Sequence, residues 1–165
     1  MIIPAPDDVH QVLEDAIRRT YEKERSLFDD CAHERSIVAQ ICRHLAGLVE
    51  ARDGWESRWS VDVEYNRHHI YPCRGRYTSK QLPGLSENAV YPDLIIHDRQ
   101  ASTRDHNLLV LEAKHNPNPA DQKREHRKLE AFLGDYKYRH AVFLKFPRRE
   151  APQWECIADK TSGRV

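Results

Sequence analysis

Four consecutive aliphatic residues, Leu108-Leu-Val-Leu111, run directly into Glu112-Ala-Lys114. The stretch Asn107 to His115 reads as a strongly apolar strand, broken by Asn116-Pro-Asn-Pro119. Alternation along a strand puts Leu108, Val110, Glu112 and Lys114 on one face, and Leu109, Leu111 and Ala113 on the other. Glu112 and Lys114 thus point the same way, with backbones roughly 6.5 to 7 Å apart. A carboxylate and an ammonium ending a run this apolar are not accounted for by solvation alone.

The flanking sequence supplies layers for such a strand. Residues 7 to about 25 predict a polar outer helix with a narrow stripe of Val9, Leu13, Ile17 and Tyr21. A stronger helix is expected from about 32 to 51, with Ile37, Val38, Ile41, Leu45, Leu48 and Val49 on one face and a stop at Arg52-Asp53-Gly54. Trp59 to Tyr65 alternates as a strand, and Tyr91 to His97 reads as another. Pro119 suits the first position of a helix running to about Leu133 and closed by Gly134. Strands follow at Arg139 to Phe146 and at Trp154 to Ala158. Helices flanking a central, mixed sheet place the chain in the α/β class.

Bulk properties narrow the rest. At 165 residues without an internal repeat or long linker, residues 1–165 are expected to form one domain. The 26 basic and 26 acidic residues cancel, so a nucleic-acid partner would need a local basic patch. Cys31, Cys42, Cys73 and Cys156 form no CxxC pair, which argues against a zinc knuckle. The acidic N-terminus (Asp7, Asp8, Glu14, Asp15) is unlike a signal peptide, and no apolar stretch reaches bilayer length. A reduced, soluble, cytoplasmic protein is the expectation, with no membrane partner.

The chemistry is expected where two strands meet. Tyr91, Asp93, Ile95 and His97 share a face; if that strand neighbours Asn107–His115, the Asp93 and Glu112 carboxylates converge. Two hard oxygen donors then suit Mg²⁺ or Mn²⁺, with the remaining positions left to water and phosphate. Glu34 lies in the middle of the apolar stripe of its helix, within about 40° of Val38, Ile41, Leu45 and Leu48. A carboxylate there is paired, capped or coordinated, or it complements the helix dipole from the first turn.

Tyr91-Pro92-Asp93, eighteen residues, and then Glu112-Ala113-Lys114 together resemble the PD-(D/E)XK signature of the restriction-endonuclease-like superfamily. The Glu34 helix ahead of the strands and the amphipathic helix after Lys114 fit that superfamily's αβββαβ core, here over about residues 30–146 with an extra N-terminal helix. Val61 to Arg67 and Asn107 to Lys114 also look like small bacterial members of that group. The resemblance implies that Asp93, Glu112 and the backbone carbonyl of Ala113 bind the metal, and that Glu34 binds it directly or through water. It implies that Lys114 orients or helps deprotonate the attacking water and offsets phosphate charge.

Around this centre, Gln122 falls within about 20° of Leu129 on its helix and either reaches the site or sits at its rim. Asp121 is expected to be a favourable first-turn acid. Asp62, Glu64 and Asn66 share a strand face and approach the site or face water. His97 and His115 lie near the phosphate or are ordinary surface residues. Residues 66 to 90 show no clear period but interleave Arg67, His68, His69, Tyr71, Arg74, Arg76, Tyr77 and Lys80, which suits phosphate contact and base stacking. Lys145, Arg148 and Arg149 form a second basic cluster, read as a solvated face.

The expected function is metal-dependent phosphodiester hydrolysis of nucleic acid, DNA being favoured over RNA, by a homodimer or with a partner protein. The alternative is a catalytically silent nucleic-acid-binding or assembly module on the same fold. A third reading makes the charges a structural ion-pair network.

Overall fold

A computed structural model describes residues 3–30, 32–55, 58–69, 77–82, 89–100, 103–148 and 150–157. Three helices come first. Helix α1 (Pro6–Lys23) starts on a proline, with Asp7 and Asp8 in its first turn and Lys23 in its last, each favourable to the helix dipole. A one-turn helix α2 (Arg25–Asp29), absent from the sequence expectation, follows, and Phe28 turns it into the core. Helix α3 (Glu34–Glu50) begins where His33 Nδ1 accepts from Arg35 N, and Gly54, with φ +81°, makes the turn beyond its end.

The strands are β1 (Ser60–Val63), β2 (Arg67–His69), β3 (Tyr77–Ser79), β4 (Leu94–His97), β5 (Asn107–His115), β6 (His140–Phe146) and β7 (Gln153–Ile157), with helix α4 (Pro119–Asp135) between β5 and β6. Five of them form a mixed sheet in the order β1-β4-β5-β6-β7. Pairing is antiparallel across β1, β4 and β5, parallel between β5 and β6, and antiparallel again to β7. A parallel neighbour needs a crossover, and α4 is that crossover.

Alternation along the central strands divides the core. Leu94, Ile96, Leu109, Leu111, Ala113, Val142, Leu144 and Phe146 pack with α1 and α3. Ile95, Val110, Ala141 and Phe143 pack with Leu129, Phe132 and Leu133 of α4. The sheet is therefore buried on both faces, and helices cover it on either side: an α/β arrangement, as expected. Among the described residues, no helix is long and apolar enough to cross a membrane, and Cys42 and Cys156 are free thiols.

Four local expectations are corrected. Within the 66 to 90 segment, which shows no period in sequence, Arg67–His69 and Tyr77–Ser79 pair antiparallel as a separate ribbon. Strand β1 ends at Val63 because Glu64 takes φ +50°, which breaks the alternation carried on to Asn66. Strand β4 begins at Leu94, so Asp93 stands just before it. Helix α4 passes through Gly134 to Asp135; Lys137, at φ +59°, makes the left-handed turn, and Tyr138 N donates to Phe132 O.

Candidate functional site

The antiparallel register sets Leu94 opposite Leu111, which carries Asp93 beside Glu112 at the mouth of the β4–β5 pair. Asp93 Oδ2 accepts from Ala113 N at 2.7 Å, so the backbone of β5 orients that carboxylate. Ala113 thus meets the pair through its N–H, while its methyl group lies in the core on the α3 side. Glu112 shares the α4-facing side of β5 with Val110 and is 2% exposed. Its Oε2 lies 2.7 Å from Lys128 Nζ of α4, and its Oε1 is buried without a hydrogen-bond partner.

Burial pushes the Glu112 carboxyl well above the usual carboxylate range; Lys128 pulls it down, and the neighbouring Asp93 charge pushes it further up. Asp93 is also raised, by burial first, against the stabilising Ala113 N–H, the Lys128 charge and a side-chain hydrogen bond that a proton on Glu112 would supply. Glu125, buried on α4 and held by Arg124 Nε at 3.1 Å, adds to the negative potential on both. Two carboxylates in so little water need additional positive charge or a shared proton.

Glu34 and Lys114 form an adjoining pair. Glu34 Oε1 accepts from His115 N at 2.9 Å, and its Oε2 lies 3.3 Å from Lys114 Nζ. The first turn of α3 is thereby fastened to the end of β5. The strand-end position leaves the Lys114 side chain 30% exposed. A small cleft of about 110 Å³ lined by Arg35, Val38, Val63, Glu64 and Asp93 opens beside the pair, and Arg35 Nε bridges to Glu64 Oε1 at 2.7 Å. Asp93 is thus reachable from the surface, while Glu112 is not among the residues that line this cleft.

Other candidates lie elsewhere. Lys80, expected to meet substrate, is 2% exposed; its Nζ donates to Tyr65 O at 3.0 Å and lies 5.1 Å from the Tyr65 ring centre. Burial brings its pKa down to about 8. Gln122 turns back to Pro117 O at 3.3 Å and lines a groove with Lys123, His126 and Arg127 on an outer flank of α4, so it does not enter the carboxylate site. Asp121 completes a capping box with Asn118. Arg67 is exposed in β2. Tyr77 is described by its backbone in β3 alone, and Arg74, Arg76, Tyr71 and Arg149 lie outside the described residues.

His97 is not a surface residue. Its Nε2 lies 2.8 Å from Asp62 Oδ2, and Arg99 grips the same carboxylate with both Nε and Nη2. His115 Nε2 lies 2.9 Å from Ala32 O, and its ring packs on Phe146. Lys145 pairs with Glu155 at 3.3 Å.

Lys128 and Glu125 were missed from sequence. Glu125 lies about 40° from Leu129 on the wheel of α4, inside the apolar stripe, so the reasoning that singles out Glu34 also applies to it. Lys128 is about 100° from Leu129, where an ordinary solvated lysine is expected, and carries no such signal.

Among the described residues, no group of three or more His, Cys, Asp or Glu side chains closes around a common cation position. The donor set nevertheless fits a hard divalent ion: two adjacent carboxylates, one with a buried oxygen lacking any partner. No family model, curated protein or solved structure matches the chain.

Proposed function

We propose that this protein is a metal-dependent nuclease of the PD-(D/E)XK type, acting on DNA in preference to RNA. The observation that carries the reading is the Asp93–Glu112 pair, half-buried at Asp93 and buried at Glu112 with an unpartnered oxygen, next to the Lys114–Glu34 pair at one end of the sheet. The strand sequence supports it: an antiparallel β1-β4-β5 unit followed by a helix and a parallel strand is the order that an αβββαβ core requires.

In this reading Asp93 and Glu112 hold Mg²⁺ or Mn²⁺. Such an ion, when bound, lowers the pKa of water and stabilises negative charge on phosphoryl oxygens. The Ala113 N–H fixes the Asp93 carboxylate in place, so it need not reorganise when substrate arrives. Lys114 orients water and offsets phosphate charge, and Glu34 holds the ammonium in position through their 3.3 Å contact. Cutting both strands of a duplex favours a homodimer or a partner protein.

One observation favours the silent binding or assembly module instead. Glu112 and Glu34 each already have an ammonium partner within the fold. Incubation of the protein with plasmid, linear duplex, single-stranded DNA and RNA, with Mg²⁺, Mn²⁺ or chelator, separates the readings. Metal-dependent cutting that disappears in Asp93→Ala and Lys114→Ala supports the nuclease. Retarded migration of nucleic acid without cutting supports the module, and neither effect refutes both.

A further inference from the structure

We propose that Lys128 is the resident counter-cation of the carboxylate pair, displaced from Glu112 when a divalent ion binds. The inference rests on the reading of Asp93 and Glu112 as cation ligands. It assigns a charge-compensating role to a residue outside the signature.

Geometry carries it. The ammonium lies 2.7 Å from Glu112 Oε2, the contact an incoming cation would need to make. Yet one ammonium leaves the site incompletely satisfied, because the other Glu112 oxygen is buried without any donor. A dication supplies twice the charge and can engage both oxygens or bridge to Asp93. Glu125 cannot relieve the shortage: it is a third carboxylate, and its Oε1 is occupied by Arg124 at 3.0 Å.

Lys128 is also built to leave. Its side chain is 24% exposed, and its other hydrogen bond, to Tyr91 O, is long at 3.5 Å. Helix α4 itself is anchored by fully buried Leu129 and Phe132, so the mobile part is the flexible lysine stem. An ammonium and a dication on one dry carboxylate repel each other strongly, so entry of the ion and departure of the ammonium are a single exchange. In the metal-free protein, the same lysine limits the cost of burying Glu112.

The test is calorimetric titration of Mn²⁺ into wild type, Lys128→Met and Lys128→Arg at neutral pH, with no nucleic acid present. Lys128→Met is expected to bind Mn²⁺ about tenfold or more tightly than wild type, because the competing charge is gone, while Lys128→Arg stays within about threefold. A second measurement needs no variant of Lys128: mild amine acylation of wild type read by peptide mass spectrometry. Acylation of Lys128 should rise when Mg²⁺ is added and stay unchanged in Asp93→Asn. Equal or weaker Mn²⁺ binding by Lys128→Met, or Lys128 labelling indifferent to metal in a wild type that binds it, overturns the exchange and leaves the metal site standing. Absence of Mn²⁺ binding by wild type overturns both. If Lys128→Met does not fold, the labelling result decides.

Discussion

Glu112→Gln keeps the volume of a side chain that is 2% exposed and, at a pH high enough for Glu112 to ionise in the folded state, removes one negative charge, so its effect on stability there can be worked from its contacts. The substitution loses the ion pair with Lys128. That lysine is 24% exposed and can return to water, so the loss is about 1 kcal/mol or less, as for a pair near the surface. Against this, the amide nitrogen can take the place of the partnerless Oε1 and donate toward the neighbouring Asp93 carboxylate. Relief of an unsatisfied buried acceptor contributes about 1–3 kcal/mol. The second effect wins, and in chelator the variant should be more stable by about 1–2 kcal/mol, or roughly 2–8 °C in Tm for a domain of this size.

The pH dependence has a definite sign. Because burial raises the Glu112 carboxyl in the folded state, the folded protein retains a proton that the unfolded chain has released. Wild-type stability therefore falls as pH rises above the unfolded value of 4.5, and the advantage of glutamine grows over the same interval. Mn²⁺ should invert the order: at about 100 times Kd it stabilises wild type by about 2.7 kcal/mol, and the variant by little. Thermal and urea unfolding, each in chelator and in Mn²⁺, measure all of this. A variant less stable than wild type in chelator shows that Oε1 of Glu112 is not an unsatisfied acceptor in the folded protein. A variant equally stabilised by Mn²⁺ shows that Glu112 is not a ligand.

Three further outcomes follow from residues away from the carboxylate pair. Lys80→Met should stabilise the protein at neutral pH by about 1–3 kcal/mol, since a buried ammonium is costly; because the folded-state pKa is lowered from 10.5 to about 8, the gain should fade in denaturant titrations as pH rises through that interval. Asp62→Asn should destabilise by about 1–3 kcal/mol, through loss of charge-assisted bonds from His97 and Arg99. Burial alone would raise the Asp62 carboxyl, but those two partners outweigh it and hold it well below its ordinary 3.8; the penalty should therefore shrink in urea melts as pH falls below that value. Asn118→Ala removes the capping box of α4 and should cost about 1 kcal/mol, seen as a lower urea midpoint and faster amide exchange in the first turn of that helix.

The α/β class and most elements were legible because short-range patterns specify them. Apolar alternation in Trp59–Tyr65 and the aliphatic run in Asn107–His115 mark strands, the repeat from Ile37 to Val49 marks α3, and Pro119 marks the start of α4. The same alternation put Asp93 and Glu112 on matching faces, and the wheel of α3 singled out Glu34. The β2–β3 ribbon was not legible: its two strands are three residues each, too short for a period to emerge, and they are held by pairing with each other.

The identity of each charge's partner could not be read from the chain. Lys80 carries the same side chain as any solvated lysine, yet in the fold it is buried, with its ammonium beside the Tyr65 and Tyr138 rings. His97 looks like a strand-end histidine until β1 lies beside β4 and brings Asp62 to it. Glu34 and Lys114 are 80 residues apart, and Lys128 meets Glu112 only because α4 crosses back over β5. Local sequence determines which face a side chain occupies, because backbone geometry repeats every few residues. The tertiary structure decides which opposite charge stands within 3 Å or so, because that distance depends on how distant segments stack, and over such a range Coulomb energies and desolvation change steeply.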